Sequence, residues 1–157
     1  MPKALLENNI PVRFKVIKAI YEKLKIKEGT AEYAAGAISS AQTVYSLFSF
    51  LKNETKEHFI ALHLDTKNRI LCIDRVSVGT MTNSLIHPRE VFKTALLSSA
   101  ASLLLIHNHP SGDPTPSRDD ISITEKLKGA GELMGIALLD HVIIGDGYVS
   151  LKEKGYL

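Results

Sequence analysis

The stretch that most limits what this chain can become is residues 102 to 120, where an apolar run, two histidines, a proline- and glycine-rich turn and a helix start follow without a gap. Ser102-Leu103-Leu104-Leu105-Ile106 reads as a buried strand, so His107 and His109, two residues apart, project from the same side of the extended chain. Pro110, Gly112, Pro114 and Pro116 then turn it back. Ser117 stands where a helix N-cap belongs, and Asp120, three residues on, falls in the first helical turn beside it. Two imidazoles, a hydroxyl and a carboxylate thereby converge where one metal ion could gather them. Ser117 and Asp120 alone would be a capping box, and a single histidine ending an apolar strand would be a hydrogen-bonded core residue. Two histidines at i and i+2, followed by a turn and a first-turn aspartate, are hard to explain as packing.

Two neutral imidazoles and one carboxylate suit zinc, which keeps a fourth position open for water when it is catalytic. Water there would drop in pKa from about 15.7 towards about 7, and the metal could also polarise a carbonyl. A separate carboxylate is needed to shuttle the proton. Glu57 is the candidate, because it opens a predicted strand and can face the site without being a ligand. Asp113 and Asp119 compete with Asp120, but Asp113 lies in the turn and Asp119 points about 100° away around the helix. His58 and His63, five apart in a strand, should face opposite ways. Together with His87 before a helix and His141 in an apolar strand they are read as non-ligands, His141 being the first to reconsider.

With 157 residues, 45% of them hydrophobic, the chain suits one compact domain with an N-terminal extension. No apolar run approaches the roughly 18 to 20 residues of a membrane span, and no signal-peptide pattern opens the chain, so a cytoplasmic protein without membrane contact is expected. The lone Cys72, flanked by aliphatic residues, reads as packing. A net charge of +2 argues against a protein that coats nucleic acid. Its distribution is uneven, since residues 1 to 28 carry seven Lys or Arg against three Glu.

Within that basic end, Phe14, Ile17, Tyr21 and Leu24 recur at helical spacing over residues 10 to 25, with Arg13, Lys15, Lys18, Lys23 and Lys25 mostly on the other faces. Residues 1–38 are therefore expected to be a basic amphipathic helix and linker, and residues 39–157 the domain proper. In the domain, Ser39 or Ser40 caps a helix running through Val44, Leu47 and Leu51. Residues 57 to 65 and 69 to 78 form a hairpin around Thr66-Lys67-Asn68, and Pro88 starts a helix whose apolar face is Val91, Phe92, Ala95, Leu96 and Ser99. After the 102 to 106 strand, a helix from Ser117 ends near Gly129 to Gly135, residues 136 to 144 form a strand, and Asp146-Gly147 turns into Tyr148 and its neighbours. The order predicts an α/β domain with a mixed sheet.

The spacing His107-x-His109, seven residues, Ser117, two residues, Asp120 resembles the JAMM signature of the MPN metallopeptidase family. The wording His107-Asn108-His109-Pro110-Ser111-Gly112-Asp113-Pro114-Thr115-Pro116-Ser117 looks like its bacterial RadC branch. The likeness extends through Val78-Gly79-Thr80, through His87-Pro88-Arg89-Glu90-Val91-Phe92 and through Asp140-His141, over roughly residues 40 to 157. It implies the MPN (JAB/JAMM) fold, a curved mixed β-sheet flanked by helices and related in architecture to the cytidine deaminases. It also implies one zinc ion held by His107, His109 and Asp120, with Ser117 stabilising an oxyanion and Glu57 acting as general acid/base. A deaminase is excluded, since that chemistry requires P-C-x-x-C and the chain has one cysteine. Asn108 departs from the deubiquitinating members, which carry a small hydroxyl residue between the histidines.

The expectation is a zinc hydrolase acting on a peptide or isopeptide bond. The alternative is a nucleic-acid or partner-binding module in DNA repair or mobile-element biology, using Lys15, Lys18 and Lys23, whose DNA binding would fall steeply with salt. The same site would also permit hydrolysis of a non-protein amide. An exposed edge strand could pair with a substrate chain or with a second copy in a homo-oligomer.

Overall fold

The computed structural model describes residues 36–79 and 86–157. The basic helix expected over residues 10 to 25, with Lys15, Lys18 and Lys23, lies outside the described residues, as does Thr80.

Helix α1 (Ala41–Phe48) starts at Ser40, whose hydroxyl accepts from Thr43 N at 3.2 Å. Ala41, Val44 and Phe48 form its buried stripe. The expected helix through Leu51 is shorter than its apolar pattern, because after Phe48 the chain tightens into a 3-10 turn, Ser49–Asn53, that still buries Leu51. Strands β1 (Glu57–Leu64) and β2 (Ile70–Gly79) then pair antiparallel around the expected turn, which Asp65 braces by accepting from the backbone N–H groups of Lys67 and Arg69. Helix α2 (Pro88–Leu97) has Pro at its first position and buries Val91, Phe92 and Ala95. Strand β3 (Ser102–Asn108) is buried along its whole length and runs two residues beyond the expected end. Helix α3 (Arg118–Met134) is closed by Gly135 at φ +69°. Strands β4 (Ala137–Ile144) and β5 (Tyr148–Ser150) complete the order.

The sheet order is β2-β1-β3-β4-β5, with β3 and β4 parallel and the other neighbours antiparallel. A sheet this apolar at its centre must be covered on both faces. Ile60, Leu62, Leu64, Leu104, Ile106, Val142 and Ile144 pack under α1, while Phe59, Ala61, Leu103 and Leu105 pack under α2 and α3. The result is a three-layer α/β domain with a mixed sheet, as expected. Because α3 is the crossover between parallel strands, it begins where β3 ends, and its first turn lies against the last residues of that strand. No helix among the described residues is long and apolar enough to cross a membrane.

Candidate metal centre

Residue alternation on β3 sends His107 to the face covered by α3, where Asp120 sits at the third helical position. The capping box expected from the sequence is present in both directions: the Ser117 hydroxyl accepts from Asp120 N at 3.1 Å, and Ser117 N donates to Asp120 Oδ2 at 2.7 Å. The Ser117 hydroxyl also donates to Asp120 Oδ2 at 2.6 Å. These bonds fix the carboxylate in the favourable field of a helix N-terminus and leave Oδ1 facing His107 Nε2 at 3.2 Å. His109 Nε2 lies 3.5 Å from Asp120 Oδ2 and 2.9 Å from His107 Nε2.

The hydrogen bonds behind the histidines set which nitrogen carries each proton. Thr124, one turn beyond Asp120 on α3, donates its hydroxyl proton to the Asp120 backbone carbonyl, which can only accept. At the 2.6 Å contact between Thr124 Oγ1 and His141 Nδ1 the proton therefore comes from the ring, leaving neutral His141 an electron pair at Nε2. His107 Nδ1–H donates to that nitrogen at 2.8 Å, which leaves the Nε2 electron pair of His107 directed at Asp120 and His109. His109 reaches the same condition separately, because its Nδ1–H donates to the Asp113 carbonyl at 2.7 Å. Two electron pairs facing each other at 2.9 Å beside a carboxylate repel unless a proton or a cation sits among them. His107, His109 and Asp120 each offer one ligand atom, all within 4.8 Å of one another, and could hold a metal ion. The donor set fits such an ion, and the outward N–H of each ring is held, that of His109 by a backbone carbonyl as is usual for ligating histidines and that of His107 by the His141 ring.

Without an ion, protons take the cation's place among these groups. Burial would raise the Asp120 pKa, but hydrogen bonds from His107 and His109, the charge of His107 and the Ser117 hydroxyl together hold its carboxyl well below the usual carboxylate range. The hydrogen bond to Asp120 raises His109 above its ordinary value despite burial, with the Asp113 carbonyl and the charges of Asp120 and Glu57 acting in the same sense. Burial, then the neighbouring His107 charge, pushes His141 well down, which keeps that ring neutral. Phe59 stacks on His107 with centroids 6.1 Å apart and meets His141 edge-on at 5.5 Å, forming an apolar floor under both rings.

The group opens into a cleft of about 710 Å3, whose lining includes Glu57, Ile86, His107, His109, Ser117 and Asp120. All five residues singled out from the sequence thus border one space. Asp119 also lines the cleft, whereas the Asp113 carboxylate accepts from the backbone and hydroxyl of Thr115 within the turn. His58 and His63 diverge as expected, His58 lying 3.6 Å from Glu54 and His63 bonding Ser98, the C-cap of α2. His87 is the exposed N-cap of α2. His141, read as a non-ligand, stands behind His107 as its hydrogen-bond partner. Residue types alone did not single out that support, nor Thr124 or the Asp113 carbonyl; the one available signal was Thr124 at i+4 from Asp120, on the same helical face.

The loop that carries His109 is anchored to the far end of the sheet. His109 N donates to the Ile144 carbonyl at 2.9 Å, and Asp146 N donates to the Gly112 carbonyl at 2.7 Å. Gly112 adopts φ +86°, and a Cβ on Gly145 would collide with the Gly112 carbonyl, so this approach requires glycine at both positions.

Comparison with known proteins gives a consistent picture. A UPF0758 protein of Methanosarcina mazei is 52% identical over 143 residues, which is 90% of this chain and 62% of that protein. Another, from Methanococcoides burtonii, is 51% identical over 149 residues, covering 94% of this chain and 65% of the relative. A third, from Caldanaerobacter subterraneus subsp. tengcongensis, is 51% identical over 122 residues, covering 76% and 52%. The chain spans between half and two thirds of the length of these relatives. The family model described as the RadC-like JAB domain matches residues 38–156, from two residues before the α1 cap to the last residue but one, and the chain belongs to that family.

Proposed function

We propose that this domain is a zinc-dependent hydrolase that cleaves a peptide or isopeptide bond. The observation that carries the reading is the pair of imidazole electron pairs, each set by a hydrogen bond behind its ring, meeting the Asp120 carboxylate in a cleft that also contains Glu57. Two nitrogens and one oxygen are a donor set for zinc with a position left open. Zinc bound there would supply a Lewis acid for the substrate carbonyl and a water acidified towards neutral pH.

His107, His109 and Asp120 are the holding residues. Glu57, at the start of β1 and in the cleft lining, takes a proton from the attacking water and returns it to the leaving amine. Ser117 binds Asp120 through its hydroxyl in this structure, and in the oxyanion role it exchanges that bond for one to the developing charge on the substrate. Pro110, Ile86 and Ile123 give the cleft apolar surface that sheds water as a peptide enters.

The test is metal content by elemental analysis, followed by turnover of peptide and isopeptide libraries. Wild type and Glu57→Gln should each carry about one zinc per chain, with His107→Ala, His109→Ala and Asp120→Ala carrying none. Glu57→Gln should then slow turnover by roughly 100-fold to 10,000-fold. Wild-type protein that neither retains nor rebinds zinc sinks the hydrolase reading.

A further inference from the structure

Asn108 lies between the two histidines and points away from them. Alternation along β3 places its side chain on the opposite face of the sheet from His107, and it is completely buried. Its amide is not idle there. Oδ1 accepts from the backbone N–H of His58 at 2.8 Å, and Nδ2 donates to the backbone carbonyl of Lys56 at 3.0 Å. The orientation of the amide is unambiguous, because a backbone N–H can only donate and a carbonyl can only accept.

These two bonds bracket a single residue, Glu57. The backbone ladder between β1 and β3 runs from Leu64 opposite Ser102 to Phe59 opposite His107 and stops there. Beyond that pair the side-chain amide of Asn108 takes the place of a further peptide group, holding the chain one residue before and one residue after Glu57. On its other side Glu57 pairs with Gly79, the last residue of β2.

We propose that Asn108 is a positioning residue, which fixes the backbone of Glu57 so that its carboxylate stays over the His107, His109 and Asp120 group. The proposal rests on the reading of Glu57 as the proton-carrying residue of that site. One short run of β3 thereby performs two tasks, His107 serving the ion on one face and Asn108 serving the acid/base residue from the other. A purely structural asparagine would stabilise the strand end equally whatever residue stood at position 57.

A double-mutant cycle on zinc affinity separates these cases. The full chain, Glu57→Gln, Asn108→Ser and the double variant are titrated with zinc against a chromogenic chelator. A neutralised or displaced carboxylate beside the ion should weaken zinc about tenfold, so each single variant is expected to show that loss. The double variant should bind no more weakly than Glu57→Gln alone, since Asn108 acts through Glu57. Equal losses for Asn108→Ser in both backgrounds would overturn the proposal while leaving Glu57 in its role. Unchanged zinc affinity in Glu57→Gln would overturn the proposal, because the carboxylate would then not be held beside the ion, while full zinc content in that variant would leave the hydrolase reading standing. Should the serine variant fail to fold, Asn108→Thr, a better strand residue, enters the same cycle with the same expectations.

Discussion

His141 and His63 are both completely buried on the same face of the sheet, and both are kept neutral by desolvation, yet they serve opposite ends of the domain differently. His63 donates from Nδ1 to the Ser98 hydroxyl at 2.8 Å, because that hydroxyl gives its own proton to the Ala95 carbonyl. Its Nε2 then has no hydrogen-bond partner among the described residues. In His141 both nitrogens are engaged, one giving to Thr124 and the other accepting from His107. The direction of donation runs through His141 and delivers an electron pair to the open cleft; through His63 it stops inside the core. A buried histidine thus supports the candidate metal centre because of where its hydrogen-bond chain ends, and burial or a shifted pKa alone would not distinguish the two.

The strongest way to break this contrast is to replace each ring by an apolar one. His141→Phe should weaken zinc binding by roughly 10-fold to 100-fold in chelator competition, because His107 loses the acceptor that sets its tautomer. His63→Leu should leave zinc affinity within about twofold, since it shares no partner with the site. Equal effects of the two changes would dissolve the distinction. A smaller change sharpens it: Thr124→Val strands the His141 Nδ1–H, which should destabilise the fold by about 1 to 3 kcal/mol in urea unfolding. The same variant should loosen zinc about tenfold, whereas Thr124→Ser keeps the hydroxyl and should stay close to wild type. A valine variant with full zinc affinity would show that the chain behind His107 does not set its tautomer.

The site end should also respond to pH in a way the His63 end does not. In the metal-free domain, the raised His109 pKa contributes stability that is fully present below its ordinary value of 6.5 and is lost as pH rises through the folded value. Asp120, held low, contributes stability that is present above its ordinary 3.8 and is lost as pH falls through its folded value. The contribution of this pair is therefore greatest between 3.8 and 6.5. Zinc bound at His107, His109 and Asp120 would compete with those protons, so the gain in melting temperature on adding zinc should grow between about pH 5 and about pH 8. A metal-induced gain that shrinks over that interval would contradict the ligand set. The smallest effect belongs to Cys72, half-buried on β2 with a thiol pushed up by burial and by Asp74. Cys72→Ser should change stability by less than about 1 kcal/mol and leave zinc uptake alone.

Much of the metal centre was legible because it is local. His107, His109, Ser117 and Asp120 lie within one strand, one turn and one helix start, and each of those has a strong short-range signal in apolar runs, prolines and a capping box. Glu57 was reached by a chemical requirement and a resemblance, since a carboxylate opening a strand looks the same whether or not it faces a site. The support from His141 was not legible: it lies 34 residues from His107, and a lone histidine in an apolar strand reads identically when it ends in the core, as His63 does. Helix and strand order followed from periodicity, while the extents did not always. The α1 pattern through Leu51 contained a change of helical pitch at Ser49 that hydrophobic spacing does not register. Gly129 and Gly131 looked like a stop but sit inside α3, where a Cβ on Gly131 would strike the Ile136 carbonyl, so close packing rather than termination accounts for that glycine.

The course of the strands gives the domain two dissimilar ends. β1 starts and β2, β3 and β4 finish at the cleft, so the hairpin turn at Asp65, the Gly135 cap and the entry of the chain at Ala37, which bridges Arg69, all lie at the other end. Sequence inserted at the Thr66-Lys67-Asn68 turn is therefore attached remote from the candidate metal centre. For protein engineering this makes that end the natural place for a fluorophore, an affinity handle or a fused module, with the mouth of the cleft left clear.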